Sequence, residues 1–262
     1  MTTTGRRMPT LSDEDVRAML VLMKGSDTVE LKLTVPDEGH RSTIAALALD
    51  PIAAQIRQVF FLDTPDLSLN KSGVVVRARR VQGKTADSVV KLRPVVPSEL
   101  PDALRRSPTF GVEVDAMPGG YVCSGSLKGV ADNDQVKEAV AGRRPIRKLF
   151  SKEQRRFYEA HAPEGVGLNE LTVLGPIFVL KLKWVPVGEV RRMVAELWFY
   201  PDGSRILELS TKCLANDAFQ VAAEARAFLS ERGVDLSGQQ ETKTKKALEF
   251  FSKELSGSTT QA

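Results

Sequence analysis

The chain is 262 residues long, 42% hydrophobic and 27% charged, an ordinary globular composition with material for a sizeable core. A formal net charge of +4 is too small to argue by itself for nucleic acid, and no apolar run is long enough to span a bilayer or form the core of a secretory signal, so a cytoplasmic protein with no membrane partner is expected. Cys123 and Cys213 lie far apart, and only His40 and His161 join them as soft ligands, so two reduced structural thiols are expected rather than a zinc site or a disulfide framework.

Residues 1–11 read as a flexible polar lead. Ser12 or Asp13 can then cap a helix carrying the apolar stripe Val16, Met19, Leu20 and Met23, which Gly25 stops. The stretch VELKLTV alternates, with Val29, Leu31, Leu33 and Val35 on one face and Glu30, Lys32 and Thr34 on the other. A helical piece from Ile44 to Leu49, broken at Pro51, leads into an apolar strand ending at Leu62. There Asp63-Thr64-Pro65-Asp66 should turn the chain, because proline fixes one backbone angle and the aspartates bond local amides. A second turn at Asn70–Gly73 opens the strand Val74–Val81, on which Arg77 and Arg79 share a face. In DSVVKLRPV, Lys91 and Arg93 again share one face.

Pro97–Arg106 reads as loop and short helix, and FGVEVDAMP sets Glu113 and Asp115 against Val112 and Val114. Asp132 or Asn133 caps a helix with Val136 and Val140, and KEQRRFYEA is expected as a strand containing Arg155 and Arg156. After a turn at Gly175-Pro176, IFVLKLKWV alternates Lys181 and Lys183 against Leu180, Leu182 and Trp184. A hairpin over Pro201-Asp202-Gly203 joins a strand with Glu196 to one that aligns Glu208, Ser210 and Lys212. Asn216 is expected to cap a long helix through Phe228, KTKKALEFFSKEL is a closing amphipathic helix, and residues 256–262 form a disordered tail by composition. No repeat or low-complexity linker interrupts the series, so residues 12–255 read as a single α+β domain.

One wet sheet face would explain any single one of these strands. It does not explain why strand after strand places two ionised residues in register, first cationic and then acidic. If the sheet closes into a barrel, those positions share an interior where like charges need counter-charges. A polyanion with divalent cations satisfies both signs, since Lys and Arg bind phosphate oxygens while carboxylates hold a hard ion such as Mg²⁺.

At these residues the chain resembles the CYTH domains, the triphosphate tunnel metalloenzymes. VELKLTV is similar to their first-strand ExExK motif, and FLDTPDLSLNKSGVVVRARR to their second signature of strand, DTPD turn and LRxR strand. The likeness extends from about residue 27 to Lys245 through SVVKLRP, the strand with Glu113, an arginine near Arg155, a late acidic hairpin and a final lysine in TKTKKA. It implies a closed eight-stranded antiparallel β tunnel barrel with helices packed outside. It also implies, position by position, a phosphate grip by Lys32, Arg77, Arg79, Lys91, Arg93, Arg155, Lys181, Lys183 and Lys245, and Mg²⁺ or Mn²⁺ on Glu30, Glu196 and Glu208. Lys32 would orient the attacking water, or deprotonate it if surrounding cations lower its pKa.

Two carboxylates of the family pattern are replaced, by Thr28 and Ser210, and a hydroxyl is a weaker ligand than a carboxylate. Glu113 and Asp115 can supply charge instead, or pair with Lys91 or Arg93. The resemblance implies a metal-dependent phosphohydrolase acting on inorganic triphosphate, a small organic triphosphate or polyphosphate. The alternatives are a catalytically weak polyphosphate or nucleotide binder and an adenylate cyclase. No base pocket is evident, Trp184, Trp198 and Phe199 being expected outside the tunnel, and with 6% aromatic residues the strands lack the stacking platforms of a nucleic-acid binder. The sequence sets no oligomeric state.

Overall fold

The alternation of the charged strands becomes one closed barrel of nine strands. The structure is a computed structural model that describes residues 12–187, 191–236, 240 and 243–258, so the expected lead at 1–11 lies outside the described residues. The strands are β1 (Thr28–Val35), β2 (Gln55–Asp63), β3 (Val74–Val81), β4 (Ala86–Leu92), β5 (Phe110–Met117), β6 (Gly120–Ala131), β7 (Thr172–Trp184), β8 (Met193–Phe199) and β9 (Arg205–Cys213). Their circular order is β1-β5-β6-β4-β3-β2-β7-β8-β9. All neighbours are antiparallel except β1 and β5, which run parallel with Thr28 opposite Glu113 and Glu30 opposite Asp115. The barrel is therefore mixed and nine-stranded, which corrects the expectation of eight antiparallel strands. The strand absent from the sequence reading is β6, whose GYVCSGSLKGVA carries too many small residues to signal by hydrophobicity.

The helices are α1 (Asp13–Lys24), α2 (His40–Ala46), α3 (Ser68–Lys71), α4 (Asp102–Arg105), α5 (Asn133–Val140), α6 (Lys152–Glu159), α7 (Ala218–Glu231) and α8 (Lys243–Ser258). Ser12 caps α1 in a capping box with Asp15, and Asp132 caps α5. Asn216 is not the cap of α7; Asp217 precedes that helix without a side-chain bond. The outward faces of the strands bury Val74, Val76, Val90 and Leu127 against α5 and α6, and Leu33, Val35, Leu207 and Leu209 against α2 and α7. These apolar contacts hold the barrel from outside, and the inward face carries the charges except at the end where Val59, Phe61, Ile177 and Val179 pack with α8. The last helix, α8, runs to Ser258, so the expected tail begins within its final turn, and 259–262 lie outside the described residues.

Two local expectations change. KEQRRFYEA is not a strand but α6, because Ser151 and Gln154 form a reciprocal capping box. Gln154 is fully buried, and its amide donates to the carbonyls of Ser88 (3.0 Å) and Leu127 (3.1 Å), which pins α6 to the outside of the wall. Gly175-Pro176 is not a turn but lies within β7, where the register against β2 shifts between Val59 and Phe61. Gly175 has φ +152, and a Cβ there would stand 2.8 Å from the Val59 carbonyl, so the bulge requires glycine.

Candidate functional site

The DTPD segment fixes where the first cationic strand begins. Asp63, at the end of β2, is buried, and its carboxylate accepts from the amides of Thr64 (2.7 Å), Leu69 (2.9 Å) and Asn70 (3.0 Å). It thus satisfies backbone donors at the start of α3 and folds the chain back towards β3. Gly73, with φ +73, follows; its carbonyl accepts from the Arg93 amide at 2.8 Å, and a Cβ would meet the Arg93 carbonyl at 2.8 Å. Only glycine allows that approach, which aligns β3 with the cationic end of β4.

The inward positions of all the strands then enclose a cavity of about 1040 Å³. Lys32, Arg77, Arg79, Lys91, Arg93, Lys181 and Lys183 of the sequence reading all line it. Exposed Lys128, Lys183 and Lys212 rim one mouth. The opposite end is closed by α8, whose Ala247, Leu248 and Phe251 pack on Phe61, Trp198 and Tyr200. Trp198 is therefore inside the tunnel, contrary to expectation, because it shares its strand face with Glu196, to which its indole donates at 3.2 Å.

The cations differ in how far they are neutralised. Arg79 is held by Asp87, its Nη2 2.8 Å from that carboxylate. Arg93 pairs with Asp115, and Lys91 is 3.8 Å from the same carboxylate. Arg77 has no ion pair among the described residues, and its buried Nε lacks any hydrogen-bond partner. Burial and the neighbouring Arg79 push Arg77 down to about 9. Lys91 is pushed down to about 8, by burial first and then by Arg93 and Lys32, with Asp115 opposing.

The carboxylates form two groups. Glu30, Glu113 and Asp115 each bring one oxygen within 4.8 Å of the others, with the Ser210 hydroxyl donating to Glu30 at 3.3 Å. Three hard oxygen donors converging at one point suit a single divalent cation. Glu196 and Glu208 stand directly opposite each other on β8 and β9. They already hold protein cations: Lys181 lies 2.6 Å from Glu196, and Lys243 hydrogen-bonds Glu196 and lies 2.7 Å from Glu208. Protein cations hold the first group as well, Lys32 lying between Glu30 and Asp115, with Arg93 pairing with Asp115 and Lys212 with Glu113, and the expected trio of Glu30, Glu196 and Glu208 is divided between the two groups.

Other sequence expectations are redistributed. Lys32 lies 2.8 Å from Asp115 and 3.1 Å from Glu30; burial acts to lower its pKa, but Asp115, Glu30 and Glu208 hold it above the ordinary lysine range. The condition under which Lys32 would deprotonate water is not met, because the carboxylates beside it outweigh the neighbouring cations Lys91, Lys212 and Lys243. Arg155 lies on α6 outside the barrel, donating to the Phe150 carbonyl at 2.7 Å, and Arg156 is exposed beside it, so neither faces the tunnel. Lys245 is exposed on α8, 3.8 Å from Glu249; two residues along a helix are about 200° of rotation, and it is Lys243 that turns inward. Arg57, Lys128, Lys212 and Lys243 line the tunnel but are missing from the expected set. For Lys212 the signal is its shared parity with Glu208, and for Lys243 the spacing of four to buried Ala247.

No protein-family model and no curated protein matches the chain by sequence. Among solved structures, the candidate adenylyl cyclase HpAC1 from Hippeastrum, described as revealing a dominant triphosphatase activity, matches at TM-score 0.63 and 16% identity, over 84% of this chain and 95% of its own. The candidate adenylate cyclase bh2851 from Bacillus halodurans matches at TM-score 0.58 and 13% identity, over 84% and 98%. The chain thus has the fold of these CYTH-type proteins. No helix among the described residues is long and apolar enough to cross a membrane.

Proposed function

We propose that the chain is a phosphohydrolase that removes the terminal phosphate of inorganic triphosphate or a small organic triphosphate within the tunnel, aided by one Mg²⁺ or Mn²⁺. The observation that carries this reading is Arg77, a guanidinium in a cationic cavity with a buried, unpartnered Nε. A cation so placed is costly unless an anion joins it, and a guanidinium suits phosphate oxygens. Arg77, Lys91, Arg93 and Lys183 would hold the phosphate chain, with the rim lysines Lys128 and Lys212 drawing it in. Glu30, Glu113 and Asp115 would hold the divalent cation, which when bound would polarise the terminal phosphate. Lys32 remains charged between these carboxylates and the cavity, where it would donate to the phosphate and orient the attacking water. Trp198, although inside the tunnel, is covered by Lys243 and α8 and offers no open face for stacking a base, which favours the triphosphatase over the cyclase. The free, buried Cys123 and Cys213 accord with a reducing, cytoplasmic setting.

The test is phosphate release from inorganic triphosphate, thiamine triphosphate and ATP with Mg²⁺ or Mn²⁺, with cyclic AMP measured in the same samples. Release from at least one triphosphate, lost in Glu30→Gln, is expected. Cyclic AMP as the main product from ATP would replace this reading by the cyclase. Tight binding without release would replace it by a binding protein, a reading favoured by the hydroxyls of Thr28 and Ser210 where carboxylates are expected.

A further inference from the structure

The cations and the carboxylates of the tunnel are paired unequally. Arg77, Lys128 and Lys183 line it without an ion pair among the described residues, whereas every carboxylate described on its wall has a cation beside it. At Glu30, Glu113 and Asp115, Lys32 bridges Glu30 (3.1 Å) and Asp115 (2.8 Å), Arg93 and Lys91 face Asp115, and Lys212 pairs with Glu113. Four cations thus surround three carboxylates, and the group presents no net negative charge to a divalent ion. One of the four differs from the rest. The side chains of Lys32, Lys91 and Arg93 are 16%, 21% and 19% exposed, whereas that of Lys212 is 50% exposed at the mouth. Lys212 also stands directly opposite Glu30 across β1 and β9, and although burial acts to lower its pKa, Glu113 and Glu30 more than offset this and keep it charged.

We infer that Lys212 is the counter-ion of Glu113 and Glu30 until a polyanion enters, and that phosphate oxygens draw its ammonium away so that these carboxylates can take a divalent cation. The inference rests on the triphosphate reading above and adds an order of binding to it, anion first and cation second. Two effects act in this direction. A polyanion held by Arg77 and the unpaired rim lysines reverses the charge balance that a divalent ion meets at the three carboxylates. The same polyanion also offers new acceptors to Lys212, whose compact ammonium on a flexible four-carbon stem can turn from a carboxylate to a phosphate without moving the backbone. Lys212 has the room to do so because half of its side chain is exposed, while Lys32 is fixed between Glu30 and Asp115. Such coupling is reciprocal, so the divalent cation raises affinity for the anion by the factor that the anion raises affinity for the cation.

The test measures Mn²⁺ affinity by electron paramagnetic resonance of the free ion, without triphosphate. Lys212→Met, which keeps the apolar stem and removes the charge, is expected to bind Mn²⁺ about tenfold more tightly than wild type, and the double variant Lys212→Met with Glu113→Gln to lose that gain. Lys128→Met removes another rim charge, one with no carboxylate partner among the described residues, and is expected to stay within roughly twofold of wild type. Sulfate in place of chloride at equal ionic strength supplies a tetrahedral oxyanion, and should tighten Mn²⁺ binding to wild type by about fivefold and to Lys212→Met by clearly less. Lys212→Met binding Mn²⁺ no more tightly than wild type, an equal gain in Lys128→Met, no sulfate effect in wild type, or an equal sulfate effect in Lys212→Met would each overturn the inference. Lys212→Gln takes the place of the methionine variant if that chain does not fold. None of these measurements depends on turnover, so the expected pattern in a chain that releases no phosphate sinks the hydrolase reading and leaves the order of binding standing, and phosphate release without the pattern does the reverse.

Discussion

The hydroxyl of Thr28 donates to the carboxylate of Glu113 at 3.3 Å, across the one parallel strand pair of the barrel. The carboxylate missing from the start of β1 is thus matched by one on its neighbour, and β5 contributes Glu113 and Asp115 in register with Thr28 and Glu30. A glutamate restored at Thr28 would add a fourth negative charge, directly opposite Glu113. Thr28→Glu is expected to lower stability by about 1 kcal/mol in chelator, as like charges facing across strands do, and to recover more of its melting temperature on Mn²⁺ addition than wild type. Thermal melts with and without Mn²⁺ check this. An unchanged midpoint in chelator would show that the group has room for another anion.

Arg77 separates binding from folding. Replacing it by methionine removes a buried cation with no ion pair among the described residues, so Arg77→Met should match or exceed wild type in urea midpoint. Hydrogen bonds to charged groups contribute about 1.5–3 kcal/mol, so affinity for inorganic triphosphate, measured by calorimetry without metal, should fall roughly ten- to hundredfold. Arg79→Ala should have a smaller effect on binding, because Asp87 already holds that guanidinium. Equal losses in the two variants would mean that Asp87 does not neutralise Arg79 in the bound state.

The strands that alternate strongly, β1, β3, β4, β7, β8 and β9, are legible in the sequence, and parity alone places Arg77, Lys91, Arg93, Lys181 and Glu208 inward. Parity also puts Trp198 beside Glu196, a signal overridden by the habit of sending tryptophan outward. What the chain hides are features fixed by phase or by distant partners. Arg155 and Arg156 next to Phe157 and Tyr158 look like a strand, although the Ser151 to Gln154 capping box marks a helix start. Lys243 and Lys245 are indistinguishable by composition, and only the buried stripe of α8 shows which one turns inward. The parallel seating of β5 beside β1 is decided by barrel closure, which no local pattern encodes.

Asp63 carries the turn that positions β3. Its carboxylate serves three backbone amides in a buried place, so Asp63→Ala leaves them without an acceptor. A loss of about 2–3 kcal/mol in chemical unfolding is expected, together with weaker triphosphate binding as Arg77 shifts. A variant with wild-type stability would show that water replaces the carboxylate.

Lys91 makes the pH dependence of binding a direct test of the tunnel. Burial, Arg93 and Lys32 push its pKa down to about 8, against Asp115, so the free protein loses this charge as pH rises through 8. A bound polyanion favours the charged form, so at pH 9 binding should take up a proton, and wild-type affinity should fall with pH more steeply than that of Lys91→Arg, which stays charged. Calorimetry in buffers of different ionisation enthalpy reads the uptake directly, and the arginine variant cancels the titration of the ligand itself. Stability moves the other way. Between pH 8 and the ordinary lysine pKa the unfolded chain holds the Lys91 proton while the folded chain has released it, so this residue's contribution to stability rises with pH across that window. Lys91→Met should lack the rise. Parallel affinity profiles for wild type and Lys91→Arg would show that Lys91 remains charged in the free tunnel, with Asp115 rather than burial setting its state.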